Sequence, residues 1–464
     1  MTGGTSSPAP PPVRVVITTI VSLNPGDAAI LAGMTSLVRE AFGGSAKITT
    51  VDSHGTVAHG YYPWMEFRSS AFARRPRGWI VRMIEASGYG HRLLRWDLWR
   101  LRVSGWLMKH GLDWISTLLT STEERKTLQD YLEADLVLAS GGTYLVPKYN
   151  LLRPFAEYEL ILALGKPLGF MPQSLGPFEG LRTEDRIRQT FRSATFISVR
   201  DNQSRKHLMA LGIPRELIRV VPDSAFALAS TSDADPAKGS MSARTSSESE
   251  TGDMRINSGT PSTRPACTVA ISVRDWRHFE DQEAADGMNG YLKAVAGLIQ
   301  WLVEQHRARV TLISSCQGIP EYHTDDSKVA EQVAARLPTQ IAEHVEVDRG
   351  FRDPTDLKQA LANYRFVVAT RMHVAILALC AGVPVVPIAY EFKTQELFES
   401  MGLQKLVSPI DGITAEALIT SVQSLIAEET RIRAVVRTES ARLARETRTI
   451  LPLLKAAVDG ARAS

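Results

Sequence analysis

The fold is decided by the stretch VRVVITTIVSLNPGDAAILAGMTSLVREAF, residues 13–42. Its first part, VRVVITTI (13–20), is apolar and rich in β-branched residues, which is typical of a buried strand in a parallel sheet. NPGD (24–27) predicts a turn. AAILAGMTSLVREAF (28–42) then has apolar residues at helical spacing and good helix formers. A strand, a turn and a helix in this order predict an α/β fold.

The same alternation continues on both sides of a polar stretch. Residues 230–265 are rich in Ser, Thr, Gly, Asp and Pro and nearly lack large apolar residues. Such a segment cannot bury enough surface to offset its ordering entropy, so it predicts a flexible linker. Strands are predicted before it at 47–52, 134–140, 167–173 and 195–200, and after it at 267–274, 309–315, 344–350, 366–370 and 384–390. Helices are predicted at 153–165, 201–212, 291–306, 327–337, 353–364 and 374–383, and over 415–461.

This pattern divides the 464 residues into two domains of one architecture. We expect a disordered tail over 1–12, an N-terminal Rossmann-like domain over 13–229 and the linker over 230–265. A second Rossmann-like domain with closing helices follows over 266–464. The predicted class is α/β, with the two domains facing across a cleft.

Composition and charge exclude several other classes. Hydrophobic residues make up 44% and charged residues 22%, as in an ordinary globular protein. The net charge of +3, from 53 basic and 50 acidic residues, gives no argument for nucleic-acid binding. The three cysteines form no CxxC pair, and the N-terminus has neither the basic start nor the apolar core of a signal peptide. We therefore expect a cytoplasmic protein without a membrane-spanning segment.

A Trp- and Arg-rich insert over residues 60–125 interrupts the alternation. It holds six of the eight tryptophans, and between Trp64 and Trp114 there are ten Lys or Arg against four Asp or Glu. Clustered aromatic and basic residues are typical of a surface at a membrane interface or a platform for a lipid-linked sugar. Tryptophan is usually largely buried, however, so we expect these side chains to pack on the core. Peripheral contact with the inner face of the cytoplasmic membrane is the alternative.

The most informative motif is ATRMHVAILALCAGVPVVPIAYEFK, residues 369–393. Arg371 and His373 stand where a predicted strand passes into a helix, and ligands of open α/β sheets bind at that edge. A guanidinium there can bind an anion in bidentate fashion, and an imidazole can donate a proton near neutral pH. The alternative is a surface arginine and a capping histidine. The strand-end position favours the functional interpretation.

Two further arginines end predicted strands. Arg274 closes VAISVR in the second domain, and Arg200 closes TFISVR in the first. Both are expected to point toward the cleft as substrate-binding residues. The alternative for each is a salt bridge to the adjacent Asp275 or Asp201, or simple solvation.

The remaining candidates lie on turns of the first domain. Asn24 and Gly26 are placed at the first strand-to-helix turn, where glycine lets the backbone approach a ligand closely. Asp27 is either a base for a sugar hydroxyl or an N-cap, and capping is the commoner role. Gln173 and Asp223 are placed at later strand ends. No HExxH motif, Cys/His cluster, GxxxxGK[ST] loop, GxGxxG fingerprint or GxSxG elbow is present, so no metal site is predicted.

Seven motifs occur along the chain in one order: NPGDAAIL, SGGTYL, MPQSLGPF, SVRDNQS, VPDSAF, AISVRD and TRMHVAILALCAGVPVVPIAYEFK. Together they resemble the polysaccharide pyruvyl transferase family, over roughly residues 14–228 and 267–400. SGGT departs from the three glycines that members often have there. The insert and the linker also look peculiar to this chain.

The resemblance implies a fold like that of B-type glycosyltransferases, phosphoenolpyruvate as donor and a sugar as acceptor. The product would be a pyruvate ketal on a cell-surface or exo-polysaccharide, or on its lipid-linked precursor. By resemblance, Arg371 and His373 match the RxH donor-site motif and Arg274 matches a donor-binding arginine. No metal or other cofactor is implied. His373 is then the candidate acid and Asp27 the candidate base.

Two other functions are compatible with the same pattern. One is a nucleotide-sugar-dependent glycosyltransferase that uses Arg371 on a diphosphate. The other is a non-catalytic saccharide-binding protein on a decayed enzyme fold. One observation argues against the non-catalytic saccharide-binding protein: the chain has Arg274, Arg371, His373 and Lys393 together.

Overall fold

The computed structural model describes residues 11–72, 90–231, 267–280 and 283–463. They form two compact units: Met1–Ala227 with Glu446–Ser464, and Leu228–Arg445. Each unit is built on one parallel sheet, so the prediction of two parallel-sheet α/β domains is confirmed. The predicted linker falls almost wholly on residues 232–266, outside the described residues, as does most of the predicted tail.

The sheet of the first unit has eight described strands, all paired in parallel. Its order is β3-β2-β1-β4-β6-β7-β8, and β5 pairs with β6. The strands are β1 Arg14–Ile20, β2 Lys47–Asp52, β3 Glu66–Ser69, β4 Leu136–Ala139, β5 Gly142–Leu145, β6 Leu168–Leu175, β7 Phe196–Val199 and β8 Ile218–Val220.

Nine described helices belong to this unit. Eight of them precede the second sheet: α1 Pro25–Phe42, α2 Gly55–Tyr61, α3 Gly90–Lys109, α4 Asp113–Leu119, α5 Thr122–Glu133, α6 Leu152–Ala163, α7 Glu184–Arg192 and α8 Asn202–Ala210. The ninth is the last helix of the chain, α17 Leu451–Ala463.

The sheet of the second unit has six described strands in the order β11-β10-β9-β12-β13-β14. They are β9 Thr268–Ser272, β10 Arg309–Leu312, β11 Val345–Val347, β12 Phe366–Ala369, β13 Val385–Ala389 and β14 Ser408–Pro409. The described helices between and after them are α9 Ala284–His306, α10 Asp326–Ala334, α11 Thr339–Ala342, α12 Pro354–Leu361, α13 Met372–Cys380, α14 Phe392–Ser400, α15 Ala415–Ala427 and α16 Glu429–Thr447.

Several central strands of both sheets are fully buried, which is why their apolar sequence predicts them. Every residue of β4, β6, β7, β12 and β13 is buried, as expected of parallel strands covered on both faces. In the first unit, Phe170 of β6 belongs to a buried aromatic cluster. Its ring centroid is 5.0 Å from that of Tyr158 and 4.9 Å from that of Phe191.

The end of the chain departs from the predicted domain boundary. The closing helices were expected to complete the second domain, but Glu446–Ser464 groups with the first unit. α17 packs against α1 and β4, and Leu454 is fully buried. Arg462 also donates hydrogen bonds to both carboxylate oxygens of Asp135, at 3.0 and 3.1 Å. Apolar helical spacing predicts a buried face but not the unit on which it packs.

The Trp- and Arg-rich insert is also different from expectation. It contributes β3 to the sheet, followed by α3, α4 and the first turn of α5. Trp64 packs edge-on against Tyr62, with ring centroids 6.0 Å apart. The expected core packing is wrong for four other tryptophans, which are at least half exposed: Trp96, Trp99, Trp106 and Trp114. Trp79 lies outside the described residues.

Within the described ranges, no helix is both long enough and apolar enough to cross a bilayer.

Candidate functional site

Polar residues follow four neighbouring strands of the second sheet, in the spatial order β10, β9, β12 and β13. Ser314 follows β10, Arg274 follows β9, Arg371 follows β12 and Tyr390 follows β13. The carboxyl ends of parallel strands meet at one edge of a sheet, where ligands of open α/β sheets bind. This edge is our candidate site in the second unit.

Arg371 is held by a buried carboxylate at this edge. Its Nε donates to Asp326 Oδ2 at 2.8 Å and its Nη2 donates to Asp326 Oδ1 at 2.6 Å. Ser314 Oγ donates to the same carboxylate. Arg371 is therefore neither a solvated surface residue nor a guanidinium whose fork is open to a ligand. Its third nitrogen, Nη1, makes no hydrogen bond with the residues described here.

Arg274 lies on aromatic rings instead. Its guanidinium carbon is 4.1 Å from the centroid of the Tyr390 ring and 5.0 Å from that of Trp276. The alternative salt bridge to Asp275 is not formed, because that carboxylate pairs with Arg277 at 3.1 Å. Arg274 is half-buried and has no carboxylate partner in the described part of the chain, so it is an uncompensated cation stacked on π-faces.

Two helices begin at this edge without a side-chain cap. α13 starts directly after Arg371 and α14 directly after Glu391. By contrast, side chains cap α10, α12 and α15. Thr394 N–H in the first turn of α14 donates to the backbone oxygen of Glu391 at 3.2 Å, but no side chain caps either helix. Helix N-termini favour anions.

His373 and Lys393 lie in these same two helix starts. His373 is the second residue of α13 and is half-buried. Lys393 is the second residue of α14, and its Nζ is 3.9 Å from a carboxylate oxygen of Glu391. The structure therefore places both predicted residues at the same sheet edge as Arg274 and Arg371.

Cys316 follows β10 at the same sheet edge, and its buried thiol is protonated at neutral pH. Burial raises the pKa of Cys316 to about 11, although the charges of Arg371 and Arg274 lower it. Burial also raises the pKa of Tyr390, against the influence of Arg274, so its phenol is protonated at physiological pH.

A second cluster lies at the carboxyl edge of the first sheet. Asn24 caps α1, since its Oδ1 accepts from the backbone N–H of Gly26 at 3.1 Å. NPGD is thus no separate turn, because α1 already begins at Pro25. Asp27 is in the first helical turn rather than at the cap, and its Oδ2 accepts from Asn24 Nδ2 at 3.2 Å.

Arg200 forms a salt bridge in this cluster, but not with the adjacent Asp201. Its Nη1 is 2.9 Å from Asp223 Oδ2, and its Nε donates to the carbonyl oxygen of Pro172 at 3.1 Å. Asp201 instead caps α8, where its Oδ1 accepts from the backbone of Ser204. Arg200 Nη2 is buried and makes no hydrogen bond within the described residues.

Gln173 was predicted at a strand end, but it lies inside β6, opposite Gly142 of β5. Its side chain is fully buried, and neither amide atom finds a hydrogen-bond partner among the described residues. Buried amides are nearly always hydrogen-bonded, so this one calls for a ligand or a water molecule.

Gly142 leaves space near Asp27 because it has no side chain. Gly142 has a φ of +140°, and a Cβ there would lie 3.0 Å from the Tyr144 ring and 3.9 Å from Asp27 Oδ1. Tyr144 in turn hydrogen-bonds to the backbone oxygen of Ser140 and to Thr19 Oγ1, the latter at 3.2 Å. Burial raises the pKa of Tyr144, so it stays a neutral hydroxyl.

Sequence reasoning missed Asp326 and Tyr390, which position the two arginines of the second unit. Tyr390 is the last residue of the strand predicted at 384–390, so the rule that found Arg274 at the end of its strand would also have found it. Asp326 carries no such signal, because it opens α10 after a loop. No cluster of three or more His, Cys, Asp or Glu with metal-binding geometry occurs in the described ranges.

Comparison with known proteins gives a family and a relative. The description of the matching family is "Polysaccharide pyruvyl transferase", and the match covers residues 24–391. Amylovoran biosynthesis protein AmsJ of Erwinia amylovora is 25% identical over 292 residues, which are 63% of this chain and 65% of that protein. The chain thus matches slightly less than two thirds of this relative's length.

Solved structures of similar fold are distant in sequence. A UDP-GlcNAc 2-epimerase from Neisseria meningitidis, bound to UDP-GlcNAc, has a TM-score of 0.52 at 12% identity and covers 96% of this chain and 99% of its own. Anabaena Alr3699/HepE, in complex with UDP and glucose, has a TM-score of 0.51 at 14% identity and covers 97% and 100%. These likenesses establish a fold resembling that of B-type glycosyltransferases.

Proposed function

The chain belongs to the polysaccharide pyruvyl transferase family, and from this premise we propose that it transfers pyruvate from phosphoenolpyruvate to sugar hydroxyls and forms a ketal. The observation that carries the proposal is Arg274, a cation held on the Tyr390 ring at the same sheet edge as Arg371. Phosphoenolpyruvate has a carboxylate and a phosphate, so its site needs fixed cations and N–H donors. The edge of the second sheet offers both.

The donor is assigned to the second unit. Arg274 is the charge partner for one acidic group of phosphoenolpyruvate. Arg371 is oriented by Asp326 and presents Nη1. The uncapped starts of α13 and α14 supply backbone N–H groups for the remaining oxygens.

His373 is the proposed acid. It gives a proton to C3 of phosphoenolpyruvate, which leaves an oxocarbenium-like centre at C2. A sugar hydroxyl adds to C2 and loses its proton to a base. Phosphate then leaves, and a second hydroxyl adds to C2 and loses its proton to close the ketal. The products are the ketal and inorganic phosphate, so the reaction needs no oxidant, reductant or further cofactor.

Saccharide hydroxyls are assigned to the first unit. Gln173 and Arg200 Nη2 offer hydrogen-bonding atoms that are buried and unsatisfied, and Asp27 is the candidate base. The similarity to a protein of amylovoran biosynthesis supports an exopolysaccharide or its lipid-linked precursor as acceptor. We place the reaction in the cytoplasm, consistent with three cysteines that form no disulfide.

Calorimetric titration of the full chain with phosphoenolpyruvate tests the donor assignment. We expect the wild type to bind and Arg274→Ala to bind about 10- to 100-fold more weakly, the range for one lost charged hydrogen bond. Arg277→Ala is the matched control, because this arginine is three residues away and exposed, and its one ion pair within the described residues is with Asp275. Equal affinity of all three proteins would contradict the role of Arg274.

Turnover separates the alternatives. Ketal transfer releases phosphate from phosphoenolpyruvate, whereas glycosyl transfer releases a nucleotide from a nucleotide sugar. No binding of phosphoenolpyruvate together with nucleotide release would establish a glycosyltransferase. Saccharide binding without turnover of any donor would establish a binding protein. A His373→Ala variant with near-wild-type turnover would remove the acid role.

A further inference from the structure

The solvent face of α3 and α4 carries large apolar side chains. Trp96, Trp99 and Trp106 of α3 are 58%, 50% and 55% exposed, and Trp114 and Leu118 of α4 are 69% and 78% exposed. The spacing of three and seven residues places the α3 tryptophans on one side of that helix. We call these five residues the tryptophan face. Exposed apolar patches of this kind mark interaction surfaces.

The opposite side of α3 accounts for its packing in the first unit. Leu98 and Leu101 are buried on that side. A Cβ on Gly105 would lie 2.4 Å from Leu164, so the helix approaches its neighbours closely there. The tryptophan face is therefore the outer side of a helix whose inner side is already packed.

A group of polar contacts around Arg100, which we call the clamp, holds α3 against the helices that follow it. Arg100 donates to both carboxylate oxygens of Glu124, at 2.8 and 3.1 Å, and to the backbone oxygen of Leu119 at 2.6 Å. Ser104 and Thr120 hydroxyls also lie 3.1 Å apart in the buried layer. These contacts join α3 to the end of α4 and the start of α5, so the exposed tryptophans sit on a supported surface.

The exposed charges around the tryptophan face are mainly positive. Arg92, Arg95, Arg102 and Lys109 are exposed on α3. The one acidic residue of that helix, Asp97, is part of the clamp, since its carboxylate accepts from Arg100 at 3.2 Å. The face thus combines indole rings with a cationic surround.

We propose that the tryptophan face docks on a bilayer surface rich in anionic phospholipid. Tryptophan prefers the membrane–water interface, because its ring is apolar while its N–H needs a polar neighbour. The surrounding cations gain Coulomb energy from anionic headgroups. An amphipathic helix with indoles and basic residues on its exposed side has the chemistry of an interfacial element.

The positive charge around the tryptophan face argues against three other binding partners. Residues 73–89 of this chain carry four arginines and one glutamate, so they have the same sign of charge as α3. A second copy would bring two cationic faces together. A neutral saccharide brings no charge to match the positive charges of this surface, and the Trp96 and Trp99 rings already stack on each other with centroids 4.9 Å apart.

Flotation of the full chain with phosphatidylglycerol-rich vesicles tests this proposal, with pure phosphatidylcholine vesicles as comparison. No donor or acceptor is present, so the outcome is independent of the proposed reaction. We expect binding to the anionic vesicles at low salt, weaker binding at high salt and little binding to phosphatidylcholine. Brominated lipids should quench the tryptophan fluorescence of the bound protein.

Matched variants locate the surface. Trp96→Ala with Trp106→Ala should lower vesicle affinity at least tenfold, whereas Met209→Ala, an exposed apolar residue elsewhere in the first unit, should leave it unchanged. Arg95→Gln and Lys109→Gln should each lower it about fivefold, the equivalent of about 1 kcal/mol per cation. Each variant is first checked for a wild-type circular dichroism spectrum.

Three results would overturn the proposal. The first is failure of the wild type to float with anionic vesicles at low salt. The second is equal loss of binding in Met209→Ala and in the tryptophan variant. The third is a wild-type dimer that dissociates when the same tryptophans are replaced, because that would assign the face to a second copy.

Discussion

Replacing Asp326 with Asn should destabilise the second unit strongly. The wild-type carboxylate is fully buried and accepts two hydrogen bonds from Arg371, whose side chain is only 14% exposed. The amide introduced by Asp326→Asn would keep one acceptor oxygen but would turn an N–H donor toward a guanidinium that also donates. The substitution therefore leaves a buried positive charge without compensation.

The expected loss follows from the burial of both partners. Removing one partner of a buried pair typically costs about 3–5 kcal/mol, much of it the cost of an unpaired buried charge. Because Asn retains one acceptor, we expect a loss near the lower end, about 3 kcal/mol. The hydroxyl of Ser314, which also donates to Asp326, remains satisfiable by the amide oxygen.

Urea unfolding followed by hydrogen exchange in β12 and α13 measures this loss within the second unit, since a two-unit chain need not unfold in one step. Asp275→Asn is the matched control. It breaks an exposed pair with Arg277, so its effect should stay within about 0.5 kcal/mol. A loss in Asp326→Asn no larger than in this control would refute the assignment of a structural buried pair.

Four further predictions concern other parts of the molecule. Glu157→Gln should stabilise the first unit at neutral pH and flatten the pH dependence of its stability. Burial raises the pKa of Glu157 in the folded protein, so the wild type loses stability as the pH rises through that pKa. Equal urea unfolding of both proteins at every pH from 4 to 8 would contradict this. Leu454→Ala should cost about 2–5 kcal/mol, and hydrogen exchange should place the loss in the first unit. Gly142→Ala should raise the KM for the saccharide acceptor more than that for the donor, because its Cβ would crowd Tyr144 near Asp27. Turnover should survive dialysis against EDTA, and a loss restored by one divalent cation would contradict the cofactor-free reaction.

The strands that could be predicted from sequence are those buried on both faces. β2 Lys47–Asp52 has the predicted bounds, and β12 Phe366–Ala369 is one residue shorter than predicted. The missed strands are short or polar, such as β3, whose sequence is EFRS, and β8, whose sequence is IRV. They pair only because a longer neighbour offers an edge, and no period of two can be read in three or four residues.

Site residues were predictable where their position depended on a strand end. Arg274, Arg371 and His373 follow strands and lie together at one edge, as expected. The cap of α1 was expected at Asp27 but is Asn24, a residue type that is also a preferred N-cap, and Pro25 then suits the first helical position. The pairing of Arg371 with Asp326 was not, since 45 residues separate them and only tertiary packing brings them together.

The electrostatic difference between the two sheet edges explains why donor and acceptor are assigned to different units. At the first edge, Arg200 is compensated by Asp223, and the unsatisfied amide of Gln173 is neutral. Such an edge can bind hydroxyls, which donate and accept without bringing charge. At the second edge, Asp326 compensates Arg371 and leaves Arg274 as the net cation. A dianion is recognised where a positive charge is fixed before it arrives, because no reorganisation is then needed on binding. The acid role that we propose for His373 is useful only where the donor is held, so in this proposal the cation and the proton source share one edge.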